Sequence, residues 1–337
     1  MIRFFTAALA AAAMLCFSAA GARAQTAEAD LPAIAAAIDE TMRAHHFDPA
    51  VLNDPAYRAL HGEVEALAQR AGSREAFVSG FNALWREGPF SHVNLTIAEA
   101  SAADTAAYLD QMRVGEGARL SWDGEIAILT VNTMMGLDTI EQIDAAYGEI
   151  AARQARALII DLRANEGGAF AVRPLVAHLL TAPLDAGAFV SQAWAAEMSR
   201  APARADVEDV PPWDGWSLVA FWRDVERARI TRIQFTPSAP HYGGPVFVLI
   251  GPRTASAAEL AADALAASGR ATIIGERSVG QMLSQKPYDL PGGLQLFLPI
   301  ADYYAFRGGR IEGRGVAPDV PVPADQAMAE AMARAVR

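Results

Sequence analysis

The sequence predicts an α/β protein in which a small N-terminal helical bundle precedes a layered core with a largely parallel sheet. The first observation is that residues 31–89 carry three helix-periodic apolar patterns and end at a Gly-Pro break. The second is that, from Gly117 onward, short apolar runs alternate with helical segments, a spacing typical of α/β layers. We therefore divide the mature chain into a bundle over 25–97 and an α/β core over 98–337.

Three segments support the bundle. The first begins at 31–38, the second covers 56–71, and the third covers 73–85, with Phe77 and Phe81 on one side. Each pattern is short and amphipathic, and the three follow one another closely. Three such helices in succession indicate a small bundle ahead of the core.

The core begins with two apolar runs around Asp123-Gly124, which predict a β-hairpin with a tight turn. Further strands are predicted at 157–161, 246–250, 271–274, 294–299 and 301–304, and helices at 138–155, 169–181, 257–268 and 324–336. Residues 197–244 are the least regular, and we interpret them as an insertion or flap over the site. The alternative is an ordinary peripheral helix.

The first 24 residues have the features of a cleavable signal peptide. Arg3 precedes a short Ala-rich apolar run, and Ala22-Arg23-Ala24 has the small-x-small pattern of a cleavage site. We expect cleavage after Ala24 and a periplasmic or secreted mature protein without a membrane anchor.

The net charge and the rare residue types exclude several kinds of partner and site. The net charge of −11 argues against nucleic acid and anionic membranes as partners. Cys16, in the predicted signal, is the only cysteine, so the mature chain has no disulfide, thiolate metal site or cysteine nucleophile. Lys286 is the only lysine. No set of histidines and acids has metal-ligand spacing, so we predict no metal and no cofactor.

Ser256 lies between the apolar run 246–250 and a small-residue helix. This places a hydroxyl at a strand-to-helix turn, beside the free N–H groups of a helix start, which is an arrangement suited to acyl transfer. The alternative is an ordinary capping box, because Ser256 and Glu259 also fit Ser-x-x-Glu.

Four motifs, one of them the serine segment itself, give Ser256 a context. In chain order they are Phe90-Ser-His-Val-Asn-Leu95, Asp161-Leu-Arg-Ala-Asn-Glu-Gly-Gly168, the serine segment 254–260 with Gly269-Arg-Ala-Thr-Ile-Ile-Gly-Glu276, and Ile311-Glu-Gly-Arg-Gly-Val-Ala-Pro-Asp319. With these motifs, residues 31–322 resemble peptidase family S41, which includes C-terminal processing proteases, tricorn core proteases and interphotoreceptor retinoid-binding protein. The resemblance implies a ClpP/crotonase-like layered core.

Two departures point to the tricorn-like branch of this family. The lysine of the processing proteases' Ser–Lys dyad falls on Gln281 in this sequence. The PDZ domain of those proteases is also missing, because only about two dozen residues separate Leu95 from the first core strand.

The resemblance implies a role for each motif. Ser256 would be the nucleophile and His92 its general base, while Ser91 and Glu312 would belong to a polar relay that orients the site. The oxyanion donors would be the backbone N–H groups of Ala257 and of Gly167 or Gly168. Alternatives stay open: His92 as a packed structural histidine, Glu312 as a surface acid, and Lys286 as a minor candidate for the base.

We therefore predict an exported serine endopeptidase that acts on proteins or peptides. A catalytically silent ligand- or peptide-binding protein of the same fold is the alternative. An acyl-CoA enzyme of the crotonase type is disfavoured by export, and an α/β-hydrolase esterase by the lack of Gly-x-Ser-x-Gly. Substrate identity and oligomeric state are left open by the sequence.

Overall fold

The computed structural model describes residues 30–198 and 200–336. The predicted signal peptide lies outside these residues. The α-helices are α1 (Leu31–His45), α2 (Pro55–Arg70), α3 (Arg74–Trp85), α4 (Ala102–Gln111), α5 (Leu137–Ala152), α6 (Val172–Ala177), α7 (Gln192–Glu197), α8 (Leu218–Arg227), α9 (Ala257–Ala267) and α10 (Ala327–Ala335).

Twelve strands are formed within the described residues: β1 (Asn94–Ile97), β2 (Ala118–Asp123), β3 (Ile126–Val131), β4 (Ala157–Asp161), β5 (Leu184–Val190), β6 (Ile230–Phe235), β7 (Val246–Ile250), β8 (Thr272–Gly275), β9 (Leu283–Leu290), β10 (Leu294–Ala305), β11 (Gly309–Arg310) and β12 (Val320–Pro321). Short 3₁₀ turns occur at Val51–Asn53 and Arg204–Val207.

The first sheet has the strand order β12-β8-β7-β4-β3-β2, and its neighbours are parallel except in the β2–β3 hairpin. Helices cover both faces, which is why the central strands are continuous apolar runs. Leu158 and Val248 pack with α5, α6 and α9, whereas Ile159 and Leu249 pack against α10. The chain leaves β7 at the carboxyl edge of this sheet and enters α9 at Ser256.

The second sheet is antiparallel and is organised by β10, which pairs with β1, β5, β9 and β11, while β6 pairs with β5. The bundle helices α1 to α3 pack on this sheet, where Phe77 and Phe81 share a core with Leu95 and Leu296. The segment before β1 is thereby held between the bundle and the second sheet. This segment carries Ser91 and His92.

The fold prediction is confirmed in its main parts: an N-terminal group of helices, then an α/β core with a largely parallel sheet. The predicted Asp-Gly hairpin is present as β2 and β3. The two strands predicted over 294–304 are one strand, β10, with an irregularity between Pro299 and Ala301. The sequence did not predict the second, antiparallel sheet. Within 197–244, α8 lies near the site and β6 joins the second sheet.

No helix in the described part of the chain is long and apolar enough to cross a membrane.

Candidate active site

Ser256 occupies a strained turn at the start of α9. Its backbone has φ 53° and ψ −123°, a left-handed conformation that is costly for a residue with a Cβ and that is often found at functional sites. The turn raises the side chain from the sheet edge toward a cavity. The N-terminus of α9 lies directly behind it, where backbone N–H groups point outward.

The Glu259 side chain holds this turn through hydrogen bonds. Its carboxylate is fully buried and accepts hydrogen bonds from the backbone N–H groups of Ser256 (2.9 Å), Gly280 (2.8 Å) and Gln281 (2.9 Å) and from the Ser278 hydroxyl (2.5 Å). Burial raises the pKa of this carboxyl group, and the four hydrogen bonds oppose that rise. The capping interpretation is therefore correct for Glu259 but incomplete, because the same carboxylate also holds the loop 278–281.

Gly167 packs directly against the turn that carries Ser256. A Cβ on Gly167 would lie 2.5 Å from the Cβ of Ser256, and its φ is 99°. Glycine is required here for both reasons. The Gly167 N–H is already donated to Asn165 Oδ1 at 2.8 Å, which leaves it unavailable to a substrate.

Two backbone N–H groups beside Ser256 are free. Within residues 30–198 and 200–336, neither Gly168 nor Ala257 donates its N–H to an acceptor. Both residues line the cavity that Ser256 also lines. Of the two glycines named from the sequence, only Gly168 has a free backbone N–H, and Ala257 has a second one.

A polar relay joins Glu312 to His92 through Ser91. The Ser91 hydroxyl lies 2.6 Å from His92 Nδ1 and donates to Glu312 Oε2 at 3.1 Å. The other carboxylate oxygen accepts from the Ser91 N–H at 3.1 Å, and Oε2 also accepts from the Met282 N–H at 2.7 Å. Glu312 is buried, so the relay is shielded from solvent and its geometry is well defined.

His92 lines the same cavity as Ser256. Its Nδ1 is occupied by Ser91, and among the described residues its Nε2 has no hydrogen-bond partner, the Ser256 hydroxyl included. Desolvation lowers the pKa of His92, partly offset by the charge of Glu312. A lowered pKa keeps the imidazole neutral, the form that can accept a proton. The φ of 62° shows that this residue too is held in a strained conformation.

Lys286 binds an acidic side chain away from Ser256. Its ammonium contacts the Glu226 carboxylate and lies 4.8 Å from the centre of the Tyr288 ring, and it does not line the cavity. Gln281, by contrast, lies beside Ser256, because its carbonyl accepts the Ser256 N–H at 2.8 Å. The position that carries lysine in the processing proteases is therefore next to Ser256 here but holds an amide.

The polar residues after β4 support the site from a distance. Arg163 forms two hydrogen bonds to the carboxylate of Asp161 and one to the Ala324 carbonyl. Asn165 is fully buried and links Val131 to Gly167. In the described residues no group of three or more histidine, cysteine or acidic side chains could hold a metal ion.

Comparison with known proteins gives the family. The model of peptidase family S41 matches residues 125–322, which is more than half of the chain. The chain belongs to peptidase family S41. A curated relative, the chloroplastic C-terminal processing peptidase of Tetradesmus obliquus, is 28% identical over 197 residues, covering 58% of this chain and 34% of its own length. The chain thus spans only about a third of that relative.

Solved structures show the same fold at low sequence identity. The photosystem II D1 C-terminal processing protease gives a TM-score of 0.53 at 15% identity, covering 88% of this chain and 94% of its own. The tricorn protease also gives 0.53, at 12% identity, covering 89% of this chain but 35% of its own. In this S41 chain, the stretch between β1 and β2 contains a single helix, α4.

Sequence reasoning missed part of this S41 site. The loop 278–281 and Met282 contact the carboxylates of Glu259 and Glu312, and no local pattern marks them as partners. The aromatic wall of the cavity was also missed. It includes Trp213 and Phe221, which come from the irregular segment 197–244.

Proposed function

We propose that this protein is a serine endopeptidase that hydrolyses peptide bonds through an acyl-enzyme on Ser256, with His92 as general base. The observation that carries the proposal is the relay from Glu312 through Ser91 to His92, whose ring lines the same cavity as Ser256. Membership of family S41 supports the same reaction class.

In acylation, the Ser256 oxygen attacks the carbonyl carbon of the scissile bond. Its proton passes to His92 Nε2, and the carbonyl π electrons move to oxygen. Because the two side chains are not hydrogen-bonded in the free protein, this step needs the substrate to bring them together. Catalytic contacts are often loose before substrate binds. Ser91 and Glu312 hold Nδ1 and stabilise the imidazolium that forms.

The oxyanion is assigned to the free N–H groups of Gly168 and Ala257. Both flank Ser256, and the dipole of α9 adds positive potential at the same point. Collapse of the tetrahedral intermediate breaks the C–N bond, and His92 returns its proton to the leaving amine. Water then repeats the sequence on the ester, regenerating Ser256 and releasing the acid product.

We also propose that the protein is exported, with residues 1–24 as a cleaved signal. The measurement is the N-terminal sequence of the protein recovered from the periplasm or the medium, which should begin at Gln25. Recovery only in the cytoplasm with Met1 intact would contradict this part of the proposal.

Labelling with a fluorophosphonate tests the catalytic assignment. The wild type should be labelled at Ser256, and Ser256→Ala should abolish labelling. His92→Ala should slow it by at least about a hundredfold, since general base catalysis contributes factors of this size. The matched controls are Ser121→Ala and His241→Ala, because Ser121 lies on β2 and His241 is exposed on a loop. Neither should change the rate.

An unlabelled wild type, together with an apolar ligand retained through purification, would instead favour the silent binding protein. Labelling that persists in Ser256→Ala would place the nucleophile elsewhere.

A further inference from the structure

An apolar cavity opens beside Ser256. Its volume is about 170 Å³, and most of its wall is aromatic or aliphatic. The residues on which the argument depends are Phe170, Val172, Arg173, Trp213 and Phe221. A concave apolar site with a few polar groups at one end is the usual form of a substrate pocket.

The cavity is placed to receive the side chain on the acyl side of the scissile bond. Its lining includes Ser256 and both free N–H residues, Gly168 and Ala257. A carbonyl bound between these groups has its own Cα one bond away, so the side chain of that residue is the first to reach the cavity. The side chain after the scissile bond starts one bond further from the nucleophile.

The wall formed by Trp213 is rigid. The ring stacks on Phe170 at 5.7 Å between centroids and meets the edge of Phe221 at 5.0 Å. The indole N–H donates to Asp224 at 3.1 Å. The Arg173 guanidinium lies 5.0 Å from the centre of the Trp213 ring and donates to the Trp213 carbonyl at 3.1 Å. This wall is therefore formed before any substrate binds.

Helix α8, which contributes Phe221, is anchored at both ends. At its start, the Asp110 carboxylate accepts from the Ser217 hydroxyl at 2.5 Å and from the Leu218 N–H. At its end, the Glu226 carboxylate contacts Lys286 and accepts from the Tyr288 hydroxyl at 2.5 Å. These contacts hold Phe221 in place on the wall of the pocket.

The volume of the pocket fits one aromatic ring. An engineered protein cavity of about 150 Å³ binds benzene, so a cavity of about 170 Å³ has room for a phenyl, leucyl or methionyl side chain.

Charge excludes basic side chains. Arg173 lines the pocket, and among the described residues no carboxylate lies within ion-pair distance of its guanidinium, on which the charge of Asp214 acts from further away. Glu166 also lines it but is paired with Arg253 at 2.8 Å. The Arg173 nitrogens Nη1 and Nη2 already donate to the carbonyls of Asp214 and Trp213, so they hold the wall.

We infer that this pocket selects the substrate residue that supplies the acyl group, and that it takes a side chain with a single aromatic ring or of leucine or methionine size. The inference rests on the proposed acyl-enzyme chemistry at Ser256. It adds the substrate class and names Phe221, Val172 and Trp213 as specificity-determining residues.

The test uses α-aminoalkyl diphenyl phosphonates, in which Ser256 displaces phenoxide from phosphorus and the probe side chain occupies the acyl position. Second-order inactivation constants are measured for probes with the side chains of Phe, Leu, Trp, Ala, Lys and Glu. Burial of a ring-sized side chain should make the Phe and Leu probes about 10- to 100-fold faster than the Ala probe. The Lys and Glu probes should be slower than Ala.

Two variants change the size of the pocket. Val172→Phe fills it, and should slow the Phe probe at least about tenfold while the Ala probe stays within about threefold. Phe221→Ala enlarges it, and should speed the Trp probe relative to the Phe probe. Val219→Phe is the matched control, because Val219 is exposed on α8 outside the pocket and should leave all rates unchanged.

A fluorophosphonate without an amino-acid side chain separates the two proposals. If it labels Ser256 but the probe series shows no preference, or prefers Lys or Glu, the pocket assignment is wrong and the acyl-enzyme proposal stands. If nothing labels Ser256, the acyl-enzyme proposal fails and the pocket assignment falls with it. Unchanged probe ranking in both size variants, with fluorophosphonate labelling intact, would also overturn the inference.

Discussion

The Ser91 hydroxyl offers a sharp test of the relay. It lies 2.6 Å from His92 Nδ1 and 3.1 Å from Glu312 Oε2, and Ser91→Ala removes both contacts at once. Glu312 keeps its hydrogen bonds from the backbone N–H groups of Ser91 (3.1 Å) and Met282 (2.7 Å), so its carboxylate stays partnered. The free energy of unfolding should therefore fall by only about 1 kcal/mol.

The effect on activity should be much larger than the effect on stability. Without Ser91, the His92 ring loses the contact that fixes its tautomer and orientation, and the imidazolium loses its link to Glu312. We expect kcat to fall about 100-fold, about 2.7 kcal/mol at 1.36 kcal/mol per factor of ten. KM should change little, because Ser91 acts on the transition state through His92 and does not bind the substrate.

The assay is steady-state hydrolysis of a fluorogenic peptide with phenylalanine on the acyl side, at a pH where the wild type is fully active. Ser91→Thr keeps a hydroxyl in the same place and should recover most of kcat, while urea unfolding checks the stability of both variants. If Ser91→Ala retains kcat within about threefold of the wild type while His92→Ala is inactive, the relay does not position the base and this reasoning is refuted.

Three further predictions follow from the same site. Glu259→Gln should lower the free energy of unfolding by about 2–4 kcal/mol, because the amide NH₂ of glutamine would face N–H and O–H donors that now bind a carboxylate oxygen. Urea denaturation measures the change, and an unchanged midpoint would contradict this prediction. Gly167→Ala should lower kcat/KM and fluorophosphonate labelling at least about 100-fold with an unchanged far-UV spectrum, since its Cβ would lie 2.5 Å from that of Ser256; Gly148→Ala on α5, where a Cβ would meet nothing within 4 Å, is the matched control. The acid limb of the kcat/KM profile should have its midpoint below 6.5, the ordinary pKa of histidine, because burial of His92 favours the neutral form and neutral imidazole is the active base; a midpoint above 6.5 would mean that the charge of Glu312 outweighs desolvation.

The parts of the fold that could be predicted are those whose local pattern matches their final environment. Strands β4 and β7 are short apolar runs with both faces covered, and the bundle helices are amphipathic, so periodicity was sufficient. Strand β9 was missed because Leu283–Leu290 contains Gln285, Lys286, Pro287 and Asp289, which are unfavourable in isolated strands. It is a strand because β10 pairs with it over most of its length.

In the site, too, residues in a contiguous segment could be predicted, whereas contacts between distant segments could not. Ser256 could be singled out because its strand, turn and helix are contiguous. The contact between Ser91 and Glu312 joins residues 221 positions apart, and only the family resemblance indicated it. The four donors to Glu259 include three from the loop 278–281, whose approach depends on how β8 and β9 are connected in space.

His92 is delivered by the segment that the bundle holds against the antiparallel sheet, whereas Ser256 is delivered by the parallel sheet. The two sheets share one hydrophobic core, so turnover depends on how precisely that core holds them in register. Glu312 bonds to Ser91 in the first segment and to Met282, which directly follows the loop 278–281 that Glu259 ties to Ser256. In a titration with denaturant, enzymatic activity should disappear at a lower concentration than helical signal, because a local shift of about an ångström between His92 and Ser256 disables the chemistry before the shared core unfolds.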